Sequence, residues 1–136
     1  MSLQAGFLTP LRVEEVDEDR WRLLEPLHAR SSLVGDVIVP AGFVSDFMSV
    51  PKLVPILHVI LKSRGRKEST VHDYLYETAL YPRLLCDDVF AELLRVRREP
   101  EALVALIYAG VRVGGASRYR GGPDPEPVRD AETNEA

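Results

Sequence analysis

The sequence predicts an α+β domain, with a small antiparallel sheet from the N-terminal half packed on three or four helices from the C-terminal half. Two observations carry this. Short runs rich in β-branched and aromatic residues, parted by polar or Pro/Gly turns, fill the stretch before Pro51. From Lys52 onward apolar residues recur at alternating spacings of three and four, the period of a helix face. With 136 residues, 46% of them hydrophobic and 28% charged, the chain has the make-up of one soluble globular domain with a modest core.

Phe7 to Val16 reads as a strand, and Trp21 to Leu24 as its hairpin partner across the polar turn Asp17-Glu18-Asp19-Arg20. Leu33 to Val39 is a further short strand, stopped by Pro40-Ala41-Gly42. Phe43 to Phe47 is one more, running into Ser49-Val50-Pro51. A first helix is expected over Lys52 to Leu61, with Leu53, Ile56, Leu57 and Ile60 on one face and Pro51 and Pro55 near its start. A second runs from Ser69 or Thr70, as N-cap, to about Ala79. A third spans Pro82 to Arg97, with Phe90, Leu93, Leu94 and Val96 apolar. Pro100 opens a fourth, carrying Leu103, Val104, Leu106, Ile107 and Val111, which Gly114-Gly115 ends. Residues 1–119 form the domain, and 120–136, rich in Pro, Gly and acidic residues, read as a disordered acidic tail.

Composition narrows the functional classes. No apolar run approaches the roughly 18 residues that span a membrane, so no insertion is expected. The N-terminus has no basic region ahead of an apolar one, so no secretory signal is expected either. The single cysteine, Cys86, excludes an internal disulfide and a multi-cysteine zinc site; in Leu84-Leu85-Cys86 it reads as a small buried hydrophobe rather than a nucleophile. A net charge of −4 argues against a nucleic-acid partner. The local basic run Lys62 to Lys67 reads as a solvated loop tip, with phosphate contact as its alternative.

The chemistry concentrates in Val71-His72-Asp73-Tyr74-Leu75-Tyr76. It sets an imidazole beside a carboxylate in a helix whose Val71, Leu75 and Ala79 form a buried stripe. Burying titratable groups is costly unless they are paired, hydrogen-bonded or metal-bound. Tyr76 shares a helix face with His72 and Asp73. If the next helix packs antiparallel through the loop around Tyr81-Pro82, Asp87 reaches His72. A carboxylate on one imidazole nitrogen fixes the tautomer and leaves the other nitrogen able to accept a proton, as a general base must. His72, Asp87 and Tyr76 are therefore the candidate catalytic residues, and Asp73 and Asp46 the candidate cation ligands, for calcium or zinc. Asp46, in the segment with Ser45 and Ser49 that leads from strands into helices, could join Asp73 and Asp87 around a cation or cap the following helix. The competing reading makes the cluster a polar network that pins helices together, with Arg83 and Arg112 bridging to its carboxylates. His28 and His58 have no obvious partners, and His58 reads as packed in an apolar helix.

Four segments in order, Val39 to Pro51, Val71 to Tyr76, Arg83 through Asp87 with Phe90, and Tyr108 to Gly115, resemble a family of small uncharacterised proteins of tailed bacteriophages and prophages. The resemblance covers roughly residues 7 to 119, with Met48 standing where the pattern more often has a small residue. It implies a phage setting rather than a reaction. More locally, His-Asp-x-x-Tyr followed by Arg83 and Asp87-x-x-Phe90 is similar to bacterial secreted phospholipases A2. That similarity implies His72 as the base, Asp73 as a calcium ligand and Asp87 as the group orienting the histidine. Two departures stand against it: no disulfides staple the helices, and no glycine-rich calcium loop precedes them.

Two functions are expected from these readings. The first is a virion or assembly component, tail-associated and made in the host cytoplasm, whose sheet and acidic tail bind other phage structural proteins. The second is a small hydrolase using His72 and Asp87, metal-assisted through Asp73 and Asp46, on a lipid or cell-envelope substrate. An enzyme should show His72 lining a reachable cleft; a structural protein should show the pair sealed inside.

Overall fold

A computed structural model describes residues 4–18, 20–46 and 65–122. The described strands are β1 (Gly6–Phe7), β2 (Val13–Asp17), β3 (Arg20–Leu23), β4 (Leu27–Ser31), β5 (Gly35–Val39) and β6 (Val44–Ser45). They build two antiparallel three-stranded sheets, in the orders β1-β4-β5 and β2-β3-β6. Three described helices follow, α1 (Arg66–Thr78), α2 (Arg83–Val96) and α3 (Glu101–Gly114), and then a short 3-10 turn, Ala116–Arg118. The α+β arrangement is as the sequence predicts, with two small sheets in place of one.

The expected strand from Phe7 to Val16 is two strands in different sheets. Pro10 separates them, because it offers no N–H to a ladder. Just before the break the Thr9 hydroxyl accepts the His28 amide at 2.9 Å, standing in for a ladder carbonyl. The hairpin is present as β2–β3, pairing Val13 with Leu23 through to Asp17 with Arg20, irregular between Glu15 and Asp17. β4 was not expected. Its inward positions are Leu27, Ala29 and Ser31, so only one large hydrophobe announces the strand. Its outward face pairs His28 with Ile38 and Arg30 with Asp36, and sets His28 Nε2 3.4 Å from Asp36 Oδ2, an ion pair when the imidazole is protonated. β5 begins only at Gly35, which takes φ 82 at the close of the turn that holds Leu33 and Val34. β6 covers only Val44–Ser45 of the expected Phe43 to Phe47, and Phe47 itself lies outside the described residues.

The expected helix over Lys52 to Leu61, with His58, also lies outside the described residues, as do Ser49, Lys62 to Arg64 and 123–136 of the tail. Of the basic run, Gly65 is the buried N-cap of α1 and Arg66 and Lys67 open the helix. Their cationic ends sit over Trp21 (5.7 Å) and Phe7 (5.3 Å), so these two residues clasp the sheets rather than tip a loop. Ser69 and Thr70 are therefore inside α1 and not its cap; the Thr70 hydroxyl donates back to the Arg66 carbonyl at 2.7 Å. α2 and α3 follow their predicted bounds, each with a proline as N-cap.

α2 lies at the centre of the packing. Cys86, Val89 and Leu93 join Leu27, Val37 and Val39 of the first sheet and Val71 and Leu75 of α1. Phe90, Ala91 and Leu94 pack on Val104, Ile107 and Val111 of α3. Each Val, Leu, Ile or Phe among them contributes roughly 1.5–3 kcal/mol on full burial. Cys86 is fully buried, its thiol against the Tyr81 carbonyl and pushed up to about 12 by burial, so it is the packed hydrophobe the sequence suggests.

Candidate functional site

α1 and α2 meet where the sequence places the imidazole and the carboxylate. His72 Nε2 lies 2.7 Å from Asp87 Oδ1, and the Tyr76 hydroxyl donates to the same oxygen at 2.6 Å. The i, i+4 spacing on α1 sets His72 and Tyr76 side by side, with ring centroids 4.1 Å apart. Phe90 closes the other side of the imidazole at 4.6 Å. The second Asp87 oxygen accepts from Arg112 Nη1 of α3 at 2.7 Å and lies 3.5 Å from Arg83 Nη1.

Arg83 is itself buried and works as a helix cap. It donates to the Arg112 carbonyl at 3.2 Å, at the end of α3 where helix carbonyls run out of intrahelical donors, and to the Val111 carbonyl at 3.0 Å, which the Gly115 amide also bonds at 2.8 Å. It also donates to the Tyr76 hydroxyl at 3.3 Å. Gly115 is where the chain passes this cluster. A Cβ there would press into the Val111 carbonyl and fall 2.7 Å from the Tyr76 hydroxyl, so glycine is required by crowding, at an ordinary φ of −82.

The charges follow from these contacts. Burial disfavours the imidazolium and lowers the His72 pKa; Asp87 pulls the other way and Arg83 repels the added proton. Burial alone would raise the Asp87 pKa, but hydrogen bonds from His72, Tyr76 and Arg112 outweigh it and hold the carboxyl below its usual range. Burial, and then the bond to Asp87, raise the Tyr76 pKa. The site is thus a neutral imidazole and an ionised carboxylate, with Nε2 carrying the proton that faces Asp87. Nδ1 is left as a lone pair, buried and without a hydrogen-bond partner among the described residues.

The side chains of His72 and Asp87 are both 0% exposed. Asp73, one residue on, points elsewhere and accepts from the Ser45 hydroxyl at 2.5 Å. Asp46 accepts from Arg118 Nη1 at 3.2 Å. Asp46 and Asp73 line one cleft of about 530 Å³ with Phe43, Tyr76, Glu77 and Arg118. The structure therefore brings together His72, Tyr76 and Asp87 in one buried cluster, and Asp46 with Asp73 in a neighbouring cleft. Asp87 does not line that cleft. Among the described residues no group of three or more His, Cys, Asp and Glu side chains could hold a metal ion. Two carboxylates are short of the ligands that calcium or zinc takes, and the balance would have to come from carbonyls or water. The helix that Asp46 could cap lies outside the described residues.

Two features of this region carried no sequence signal. Tyr119 donates to the Tyr81 carbonyl at 2.7 Å and sets its ring edge on Tyr76, while the Arg120 amide bonds the Tyr76 carbonyl at 3.1 Å. The chain after α3 thus wraps the end of α1. Glu68 is the other. It is fully buried in the first turn of α1, 3.2 Å from Arg97 Nε, and burial pushes it up to about 7.

A family model described as a protein of unknown function (DUF1353) matches residues 21–111, which includes His72, Tyr76, Arg83, Asp87 and Phe90 and stops one residue short of Arg112. No curated protein matches the chain, and no solved structure does.

Proposed function

The chain belongs to the DUF1353 family of proteins of unknown function, and from that premise we propose that it is a bacteriophage virion or assembly component, tail-associated, that acts through contacts with other phage proteins. The observation that carries this reading is the sealing of His72 and Asp87. Their side chains are 0% exposed, and the carboxylate is bound by groups from all three described helices. A buried carboxylate with both its oxygens used in this way holds helices in place. The phage setting rests on the resemblance of the four ordered segments between Val39 and Gly115 to small proteins of tailed phages and prophages. No described helix is long and apolar enough to cross a membrane, in keeping with protein partners. Mass spectrometry of purified particles from the encoding phage or induced prophage tests the proposal. The chain should be present at a fixed ratio to tail proteins; particles of full infectivity and normal assembly without it would reject the role.

A second reading has one specific observation in its favour. The His72 Nδ1 lone pair is free of partners among the described residues, while Nε2 is held by Asp87. That is the tautomer a general base needs, and the similarity to phospholipases A2 assigns the same roles to His72 and Asp87. In this reading the protein is a small hydrolase of lipid or cell-envelope substrates. Release of fatty acid from phospholipid vesicles, or of fragments from peptidoglycan, that vanishes in a folded His72→Gln variant would establish it. Equal background release by both proteins would remove it.

A further inference from the structure

Along the flank of α2 that carries Asp88, Glu92 and Arg95, a groove of about 840 Å³ runs between the β4–β5 turn, α2 and α3. Its size falls within the range of small ligand and side-chain pockets, roughly 300–1,000 Å³. Its walls are of two kinds. Leu33 (50% exposed), Val96 (41% exposed) and Ala91 are apolar, and the first two are large hydrophobes left facing water. Asp88 and Glu92, one turn apart on α2, are acidic.

The hydrogen bonds divide the labour between those carboxylates. Glu92 is used by the β4–β5 turn: it accepts from the Ser31 hydroxyl at 2.6 Å, from the Ser32 amide at 3.1 Å and from the Ser32 hydroxyl. Those bonds fix the turn that presents Leu33. Among the described residues Asp88 accepts only from the Tyr108 hydroxyl, through Oδ1 at 2.8 Å, and keeps its second oxygen for another donor. The one cation among the described lining residues, Arg95, is paired with Glu101 at 3.0 Å. The groove therefore offers one anionic anchor, braced by a tyrosine and flanked by aliphatic side chains, with its local positive charge already neutralised.

We propose that this groove docks a segment of a partner protein that presents a lysine or arginine to Asp88 between aliphatic side chains seated on Leu33 and Val96. Charge complementarity selects the cation, and the exposed hydrophobes supply the area. The inference rests on the reading of the protein as one that works through protein contacts, and it names the chemistry of that partner.

The test uses the full chain and a fluorescent peptide of alternating Leu and Lys, with a Leu-Glu peptide as its counterpart. Binding of the Leu-Lys peptide should weaken about tenfold in Asp88→Asn and about fivefold in Leu33→Ser, short of the roughly thirtyfold loss that marks an interface hot spot. Glu25→Gln, which changes the net charge equally at a site away from the groove, should leave it within about twofold. Equal weakening in Glu25→Gln and Asp88→Asn, equal binding of the Leu-Glu peptide, or no binding at all overturns the proposal. So does self-association of the chain that Leu33→Ser abolishes, since the occupant would then be a second copy. The virion reading fails separately: peptide binding that behaves as expected, with the chain absent from particles, removes that reading and leaves the groove.

Discussion

Arg112 Nη1 reaches from the last turn of α3 to Asp87 Oδ2 at 2.7 Å, on the same carboxylate that His72 holds through its other oxygen. Asp87 is thus a junction of all three described helices. Removing it takes the Asp87 carboxylate away from buried Arg83 and leaves the Tyr76 hydroxyl without that acceptor. Asp87→Ala should cost about 3–5 kcal/mol, the loss expected when one partner of a buried ion pair is deleted. Arg112→Met should cost less, about 1–3 kcal/mol, because the Arg112 side chain is 27% exposed and Arg83 stays beside the carboxylate. Urea denaturation of the two variants checks the order, and equal losses would refute the junction.

His72 gives the fold an acid limit. Its folded pKa lies below the ordinary value of 6.5, so between the two the unfolded chain binds a proton that the folded chain refuses. Stability should rise with pH through that window and fall as pH drops below 6.5. His72→Gln, which can still donate to Asp87, should be less stable at neutral pH yet show a flatter pH dependence below 6.5. Unchanged slopes in denaturation midpoints between wild type and variant would show that His72 does not set the limit.

Glu68 works in the opposite direction. Its folded pKa of about 7 lies above its ordinary 4.5, so the folded chain holds a proton that the unfolded chain has released. Stability from this group is full below 4.5 and is lost as pH rises through about 7. The difference corresponds to about 3 kcal/mol at roughly 1.4 kcal/mol per pH unit. Glu68→Gln should therefore gain stability relative to wild type as pH rises from 5 to 8. A constant difference over that range would mean that Arg97 keeps Glu68 ionised throughout.

Gly115→Ala probes crowding without touching charge. The new methyl would meet the Val111 carbonyl, the Tyr76 hydroxyl and, at 3.2 Å, Arg83 Nη1. Overpacking of this kind costs typically 1–3 kcal/mol. Thermal denaturation should show a loss in that range, and a neutral substitution would mean that the chain after α3 moves aside freely.

The sequence made α2 and α3 legible because both combine a proline start with an unbroken helical apolar period. The junction was legible for a related reason: spacing of four on α1 and a short loop to α2 leave Asp87 few places to point other than at His72. β4 was hidden, since Ala29 and Ser31 are small and its larger side chains, His28 and Arg30, face outward. Glu68 was hidden because Arg66-Lys67-Glu68 reads as solvated, whereas its burial depends on Arg97, far along the chain at the end of α2. The separation of Asp73 from Asp87 is a matter of helix azimuth. One residue of offset turns the side chain about 100°, enough to send Asp73 to Ser45 and the cleft while its neighbour stays in the core.

Apolar faces of helices are tolerant of sliding. Moving α3 along α2 by one turn, about 5.4 Å, would exchange one set of aliphatic neighbours for another among Phe90, Leu94, Val104, Ile107 and Val111 at modest cost. The two arginines do not allow it. Arg83 is tied to the last carbonyls of α3, and Arg112 of α3 is tied to α2, so the two helices hold each other in both directions along a shared axis. Register between α2 and α3 is therefore set by a reciprocal clasp of directional bonds at one end, which frees the aliphatic residues along the rest of the seam to vary in shape without shifting the pairing.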